Sequence, residues 1–224
     1  MLEEVTKNKC YNYKLDGLSL FWIFIAGSFL GVVVETIWCY ITTNNFASRK
    51  GLIYGQFNLV YGIGAFILTL GLYWLINKNI IYVFVGGSIL GSFVEYFCSY
   101  FQQLMFGTIS WRYDEGLLNI GGRINLSYSI FWGVLAVIWI KKILPFLLKF
   151  ISNLPKKYVK VFTYFMVCFI VFDSFISYSA VKRMSERKYN IQPKNKFDIY
   201  LDKNYNDQYL KTIYPNMWFA GKMR

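Results

Sequence analysis

Long apolar runs separated by short polar stretches dominate the chain. A helix needs about 20 mostly apolar residues to cross the hydrocarbon core of a bilayer, which is about 30 Å thick. Five runs meet or approach this length, and we expect each of them to be a transmembrane helix. They cover approximately residues 18–41, 58–76, 80–105, 126–148 and 159–181. The pattern therefore predicts an all-α membrane protein with five transmembrane helices.

An internal repeat relates the first two runs to the next two. Residues 27–40 and 87–100 are identical at seven of fourteen positions without a gap, and the likeness resumes between residues 55–61 and 122–128. We therefore predict two tandem helix-loop-helix units that arose by duplication. Because each unit contains two spans, both units have the same orientation, and their symmetry axis runs along the membrane normal.

The runs and the repeat divide the chain into successive segments. The first apolar run is too long for a signal peptide and lacks a typical cleavage site, so we expect it to be retained. We expect the polar tail either to lie at the membrane surface or to be partly disordered. The predicted segments are an N-terminal segment (1–17), repeat 1 (18–79), repeat 2 (80–148), a linker with the fifth helix (149–181) and a basic polar tail (182–224).

Small residues and a glutamate recur at every fourth position in each unit. The two series are Gly27, Gly31, Glu35 and Gly87, Gly91, Glu95. Four residues are little more than one helical turn, so each series lies on one helix face. We expect the glycines to allow close helix packing. A carboxyl group inside a membrane costs about 2.5–3.5 kcal/mol on insertion scales, and two at matching places indicate a functional role. A purely structural pairing is the alternative.

Asp173 in the fifth run is a third acid inside an apolar segment. All three acids fall past the middle of spans that run in the same direction, so we expect them near the membrane face that holds both loops. The polar candidates from these loops and the adjoining helix starts are Arg49, Asn58, Trp111, Tyr113, Asn119, Arg123 and Asn125. We expect Arg123 to pair with one acid, because guanidinium binds carboxylate in a planar, bidentate manner. Interfacial anchoring is the alternative for Trp111 and Tyr113.

The amino-acid composition limits the functions and partners that we expect for the chain. The chain is 56% hydrophobic and 16% charged, which is typical of a membrane protein. Its net charge of +12 favours anionic lipids over nucleic acid as a partner. Lysine and arginine are equally numerous on the two sides of the predicted spans, so they do not fix the orientation. With no histidine and no nucleotide-phosphate loop, we predict no catalytic residues, no metal and no cofactor.

Short motifs that follow one another between residues 20 and 180 resemble a known family. They comprise Gly31 and Glu35; Ser48, Arg49, Lys50 and Gly51; Val60, Tyr61, Gly62 and Gly64; Glu95; Trp111 and Tyr113; Leu118, Asn119, Gly122, Arg123, Ile124 and Leu126; Trp132 and Gly133; and Asp173. In these motifs the chain resembles the bacterial membrane family called ABC-transporter type IV, or ABC transporter permease. It departs from the family pattern at Val32, where tryptophan is usual, and at Asn58 and Leu59, which replace proline-rich sequence. The resemblance implies a permease subunit in a bacterial plasma membrane.

Three functions fit these features. We expect a permease-like protein in which Glu35 and Glu95 bind or relay a cation, a proton or a polar solute, Arg123 balances their charge and Asp173 completes the cluster. Five spans are few for a complete transport route, so we expect a homodimer or a partner subunit, such as a separate ATPase. The alternatives are a membrane scaffold or regulatory protein with structural charge pairs, and an intramembrane enzyme that modifies lipids.

Overall fold

The computed structural model describes residues 15–114 and 116–220, and these form a mostly helical protein. Most of the predicted N-terminal segment lies outside the described residues. The helices are α1 Gly17–Thr43, α2 Leu59–Leu72, α3 Ile80–Phe106, α4 Leu126–Ile138, α5 Leu144–Asn153, α6 Lys156–Lys188, α7 Lys196–Asn204 and α8 Asp207–Ile213. Two short strands, β1 Thr108–Ile109 and β2 Trp218–Phe219, pair in an antiparallel manner.

Three of the described helices, α1, α3 and α6, are long and apolar enough to cross a membrane. Helix α2 continues through a 3₁₀ turn, and the combined helix Leu59–Leu75 is apolar but shorter. Helices α4 and α5 are joined by a π-helical turn, Trp139–Ile143, so this helical path runs from Leu126 to Asn153 without a gap. The chain is therefore a membrane protein in which three of the expected spans have full length.

Each long helix of the predicted repeat units packs against the shorter helix that follows it. In α1 and α2, a Cβ atom added at Gly27 would lie 2.3 Å from the Cβ of Ala65. In α3 and α4, a Cβ atom at Gly87 would lie 2.1 Å from the Cβ of Ala136. A main apolar core that includes Ile23 joins α1, α2, α4 and α5. The glycines therefore lie where the two helices of each pair approach most closely.

The second helix of each pair begins beside the middle of the first. The amide of Asn58, the N-cap of α2, donates to the Ser28 carbonyl at 3.0 Å. In the second pair, Ser92 of α3 donates to Ser129 of α4 at 2.7 Å. Because a helix rises about 1.5 Å per residue, the first loop, residues 44–58, returns by about 22 Å along the second half of α1. The loops thus lie alongside the long helices rather than beyond their ends.

The C-terminal part differs from our expectation. Helix α6 continues to Lys188, past the expected end of the fifth span at residue 181, and the tail contains α7 and α8. Leu201 and Leu210 from these helices form an apolar cluster with Ile53 of the first loop and with α6. The expectation of irregular structure is therefore wrong for these segments. Asn195 and Asn206 cap the two helices, and this local signal is present in the sequence.

Candidate functional site

Glu35 lies on α1 where the first loop meets the start of α2. The hydroxyl of Tyr61 donates to Glu35 Oε2 at 2.6 Å. The guanidinium of Arg49, from the first loop, forms an ion pair with Glu35 Oε1 at 3.6 Å. The Glu35 side chain retains 30% exposure, so this carboxylate remains accessible while it is paired.

Glu95 occupies the corresponding place on α3 and is more deeply buried, with 7% exposure. The hydroxyl of Tyr113, from the second loop, donates to Glu95 Oε1 at 2.6 Å. The indole of Trp132, on α4, donates to Glu95 Oε2 at 3.0 Å. Within the described residues, Glu95 therefore has two neutral donors and no ion pair. A buried carboxylate without a counter-charge can readily accept a proton or a cation.

Tyr61 and Trp132 bring the two glutamates into one site. Their ring centroids lie 6.5 Å apart, so the aromatic partner of Glu35 contacts the aromatic partner of Glu95. Gly64 of α2 also faces the Trp132 ring, which a Cβ atom there would approach to 3.1 Å. The two carboxylates are therefore linked through a pair of packed aromatic rings between α2 and α4.

The second glycine of each series makes room for these rings. A Cβ atom at Gly31 would lie 2.2 Å from Cγ of Tyr61, and one at Gly91 would lie 2.5 Å from Cβ of Trp132. No real Cβ atom tolerates such a distance, so a larger residue at either place would displace the ring. Each glycine thus allows an aromatic donor to reach the glutamate one turn further along the same helix.

The packing shows a register that the sequence comparison missed. The comparison aligned Tyr61 with Tyr128, but Trp132, one turn later, is the counterpart of Tyr61 in the structure. Tyr128 instead stacks on Tyr113, with ring centroids 4.1 Å apart. The segments that begin with Tyr61 and Trp132 share the pattern aromatic-Gly-x-x-Ala, ending at Ala65 and Ala136, and this signal could have identified Trp132.

The two loop arginines occupy similar positions but have different partners. Arg49 donates to the Cys39 sulfur at 2.8 Å, in addition to its ion pair with Glu35. Arg123 is buried and donates to Ser99 Oγ at 2.7 Å and to Gln103. Cys39 and Ser99 each lie one turn after the glutamate of their helix. Arg49, rather than the expected Arg123, is therefore the arginine in the ion pair with Glu35.

Asp173 lies apart from the two glutamates, against the returning part of the first loop. Its Oδ1 accepts hydrogen bonds from the amide of Tyr54 at 3.1 Å and from Ser177 at 3.1 Å. The Ser177 hydroxyl in turn accepts from the amide of Ile53 at 2.9 Å. Asp173 is completely buried. These bonds satisfy irregular backbone that would otherwise be costly to bury.

The remaining candidates hold the loops and the helix starts. Asn58 and Asn125 are the N-caps of α2 and α4. Asn119 accepts from the amide of Gly122 at 2.8 Å, and Trp111 donates to the Arg123 carbonyl at 3.3 Å. In these described contacts all four side chains stabilise the local backbone.

Tyr113 of the second loop interacts electrostatically with Glu95. Burial raises the pKa of its phenol, and the neighbouring Glu95 carboxylate raises that pKa further. The hydroxyl therefore stays protonated at physiological pH and remains a hydrogen-bond donor to Glu95. Among the described residues, no group of three histidine, cysteine, aspartate or glutamate side chains is placed to hold a metal ion.

Comparison with known families gives one decisive observation. The family model described as "Putative ABC-transporter type IV" matches residues 22–178. The chain belongs to this family. The match covers most of α1, all of α2 to α5 and most of α6, and it includes both glutamates, both loops and Asp173. No curated protein and no solved structure matches the chain. The family and the apolar helices are consistent with a membrane protein associated with transport.

Proposed function

We propose that this chain is the transmembrane subunit of a transporter and that it moves a cation, a proton or a small polar solute. The single observation that carries the proposal is the matched pair of glutamates, Glu35 and Glu95, linked through Tyr61 and Trp132. Carboxylates in apolar helices are costly, and two of them in equivalent places favour a binding function over accidental burial.

The proposal includes five spans in a bacterial plasma membrane. The two additional spans are Leu59–Leu75 and the path from Leu126 to Asn153. A shorter hydrophobic helix is accommodated by local thinning of the bilayer or by its helical neighbours. Lys141 supports this assignment, because its ammonium donates to the carbonyls of Leu75 and Ile76 at the end of the short helix, opposite the loops. The two helix pairs then form a parallel repeat related by a duplication.

The roles of the two glutamates differ in this proposal. Glu95 is buried with neutral donors, so it takes up a proton or a cation when the site is loaded. Glu35 is more accessible and has Arg49 beside it, so it exchanges its partner when a substrate arrives. Arg123 and Arg49 provide positive charge for an anionic group, and Asp173 holds the first loop in place. We propose no chemical catalysis for this site.

The proposed assembly needs more than one chain. A site between two helix pairs occupies only one part of a transport route, so a second copy or a partner subunit would complete it. The family favours a separate ATPase as that partner. Anionic lipids would interact with the basic ends of the helices.

A structural role is the second candidate, and the hydrogen bonds of Asp173 favour it. This acid accepts from the Tyr54 amide and from Ser177, and so fixes the first loop against α6. If Glu35 and Glu95 serve in the same way, the protein is a scaffold or a regulatory membrane subunit. Neutral replacements would then destabilise the fold without any effect specific to transport.

Transport assays distinguish these candidates. The purified chain is reconstituted in liposomes, alone and with the product of any adjacent ATPase gene, and the flux of protons, sodium, potassium and inorganic phosphate is measured. Glu35→Gln and Glu95→Gln should abolish the flux that the wild type shows. Asp114→Asn is the control, because this carboxylate is exposed and pairs only with Arg112 at 2.9 Å in the described structure. A wild type that moves none of these probes would refute the proposal.

A further inference from the structure

The C-terminal residues 189–220, which we call the cap, fold back over both loops. The cap lies outside residues 22–178, the part that matches the family. On the first loop, Ser48 donates to the Ile213 carbonyl at 2.8 Å, and the hydroxyls of Tyr54 and Tyr205 lie 2.5 Å apart. The cap therefore contacts the segment that Asp173 holds against α6.

The cap also contacts the second loop. Strand β2 of the cap pairs with β1, which directly follows α3, and Thr108 lies opposite Phe219. The amide of Ala220 donates to the Gly107 carbonyl at 3.0 Å. The cap thus connects the two loops that carry Arg49 and Tyr113, the partners of the two glutamates.

Two arginines at the end of α6 hold the cap in position. Arg183 pairs with Asp202 of α7 at 2.7 Å, and Arg187 pairs with Asp202 and, at 2.5 Å, with Asp207 of α8. The side chain of Arg183 is 3% exposed, whereas the side chain of Asp207 is 49% exposed. The ion pairs, of which the one at Asp207 is partly open to solvent, hold the cap together with the apolar cluster that Leu201 and Leu210 form with Ile53 and α6.

The cap also reaches the buried acid of α6. Burial raises the pKa of the Tyr214 phenol, and the charge of the nearby Asp173 raises it as well. Asp173 Oδ2 and the Tyr214 hydroxyl are both buried, and neither has a hydrogen-bond partner among the described residues. Buried polar atoms without partners are costly. The ion pairs therefore stabilise the docked cap, whereas the two unpaired polar atoms at Tyr214 and Asp173 destabilise it.

From these contacts we propose that the cap is a gate over the polar face and that the structure is its closed state. Opening releases the two loops together, because the cap contacts both, and gives solutes access to the buried Glu95. Release of the cap lets water reach Asp173 Oδ2 and the Tyr214 hydroxyl, which offsets part of the cost of breaking the ion pairs. This inference rests on the proposed transport function.

A disulfide between the strands tests the gate. Because Gly107 and Ala220 form a hydrogen-bonded pair, Thr108 and Phe219 form the adjacent pair without hydrogen bonds, in which Cα atoms are about 4.5 Å apart. This spacing lies within the range of disulfides. Thr108→Cys with Phe219→Cys should cross-link on oxidation and lock the cap, whereas each single variant, which retains the native cysteines, is the control.

Two readouts make the test decisive. Cross-linking should reduce flux by about tenfold or more, with recovery after reduction, and unchanged flux in the cross-linked protein would overturn the gate alone. If the wild type shows no flux, the transport proposal fails, but hydrogen exchange of the backbone amides still tests the gate. A gate predicts that cross-linking slows exchange of the amides of residues 51–57 by about tenfold. Equal exchange rates in the oxidised and reduced protein would refute the gate.

A second variant covers the case in which the double cysteine variant does not fold. Asp202→Asn weakens the ion pairs of the cap without changing either loop, so exchange at residues 51–57 should become faster. Asp198→Asn, on the same helix but outside these ion pairs, is the matched control. If Asp202→Asn leaves the exchange at the wild-type rate, the cap does not control access to the loops.

Discussion

Tyr61 on α2 donates its hydroxyl hydrogen to Glu35 on α1 at 2.6 Å, and the ring that carries this hydroxyl fits against Gly31. The same relationship exists between Trp132 and Glu95 beside Gly91. In both pairs, an aromatic donor from the shorter helix orients a carboxylate on the longer helix. This repeated contact is the basis of the site.

Removing the Tyr61 hydroxyl tests whether it positions Glu35. Tyr61→Phe keeps the ring against Gly31, so the loss of stability should be only about 1 kcal/mol. The KM for the transported probe should rise, since Glu35 loses its orienting donor, while the melting temperature changes little. Tyr73→Phe, at the other end of the short helix, is the control. An unchanged KM would show that Tyr61 has no positioning role.

Replacing Gly91 tests the need for space beside Trp132. In Gly91→Ala the new Cβ would meet Trp132 at 2.5 Å, so the variant should lose about 1–3 kcal/mol of stability. The melting temperature in detergent measures this loss. Gly17→Ala is the control, because a Cβ at Gly17 meets nothing within 4 Å. Equal melting temperatures for Gly91→Ala and Gly17→Ala would contradict the described packing.

The sequence predicted the parts of this arrangement that depend on local pattern. Apolar length identified α1, α3 and α6, and the four-residue spacing placed the glycines and the glutamate of each helix on one face. The contact of Trp132 with Glu95 depends on how far α4 slides along α3, and the alignment of the loop ends misplaced it by one turn. The ion pair of Arg49 depends on the returning path of the first loop.

The cap was missed for a different reason. Its helices are short and polar, and each is stabilised by contacts with α6 and the first loop rather than by strong periodicity of its own. The apolar residues Leu201 and Leu210 belong to a cluster that forms only when the folded first loop places Ile53 beside them. The sequence pattern within one segment does not predict tertiary contacts of this kind.

Lys141 provides a test at the opposite end of the helices. Its ammonium donates to Leu75 O at 3.1 Å, to Ile76 O at 2.9 Å and to Lys78 O. Lys141→Met would leave these terminal carbonyls without their donor, and we expect a loss of about 1–3 kcal/mol in a detergent melt. Lys142→Met removes an exposed neighbouring charge and should have little effect. Similar melting temperatures for both variants would exclude a capping role for Lys141.

The ion pairs of the cap predict that the stability of the docked cap depends on pH. Burial raises the pKa of Asp202, but its hydrogen bonds and charge interactions with Arg183 and Arg187 lower it overall. A carboxyl group with a lowered pKa in the docked state stabilises that state above its ordinary pKa of about 3.9, and the stabilisation is lost as the pH falls through the lower, docked pKa. Exchange of the cap amides, corrected for intrinsic rates, should therefore accelerate below about pH 4. Asp202→Asn should lack this component, and a wild type with the same pH profile as Asp202→Asn would contradict the assignment.

The most direct test of the central claim is the initial rate of probe uptake by Glu95→Gln in liposomes, normalised to the amount of folded protein. Glutamine keeps the size of the side chain and an oxygen that can accept from Tyr113 or Trp132, but it has no charge and takes up no proton. The account predicts that uptake is lost while the melting temperature stays within a few degrees of the wild type. Uptake at the wild-type rate in folded Glu95→Gln would contradict a carboxylate transport site.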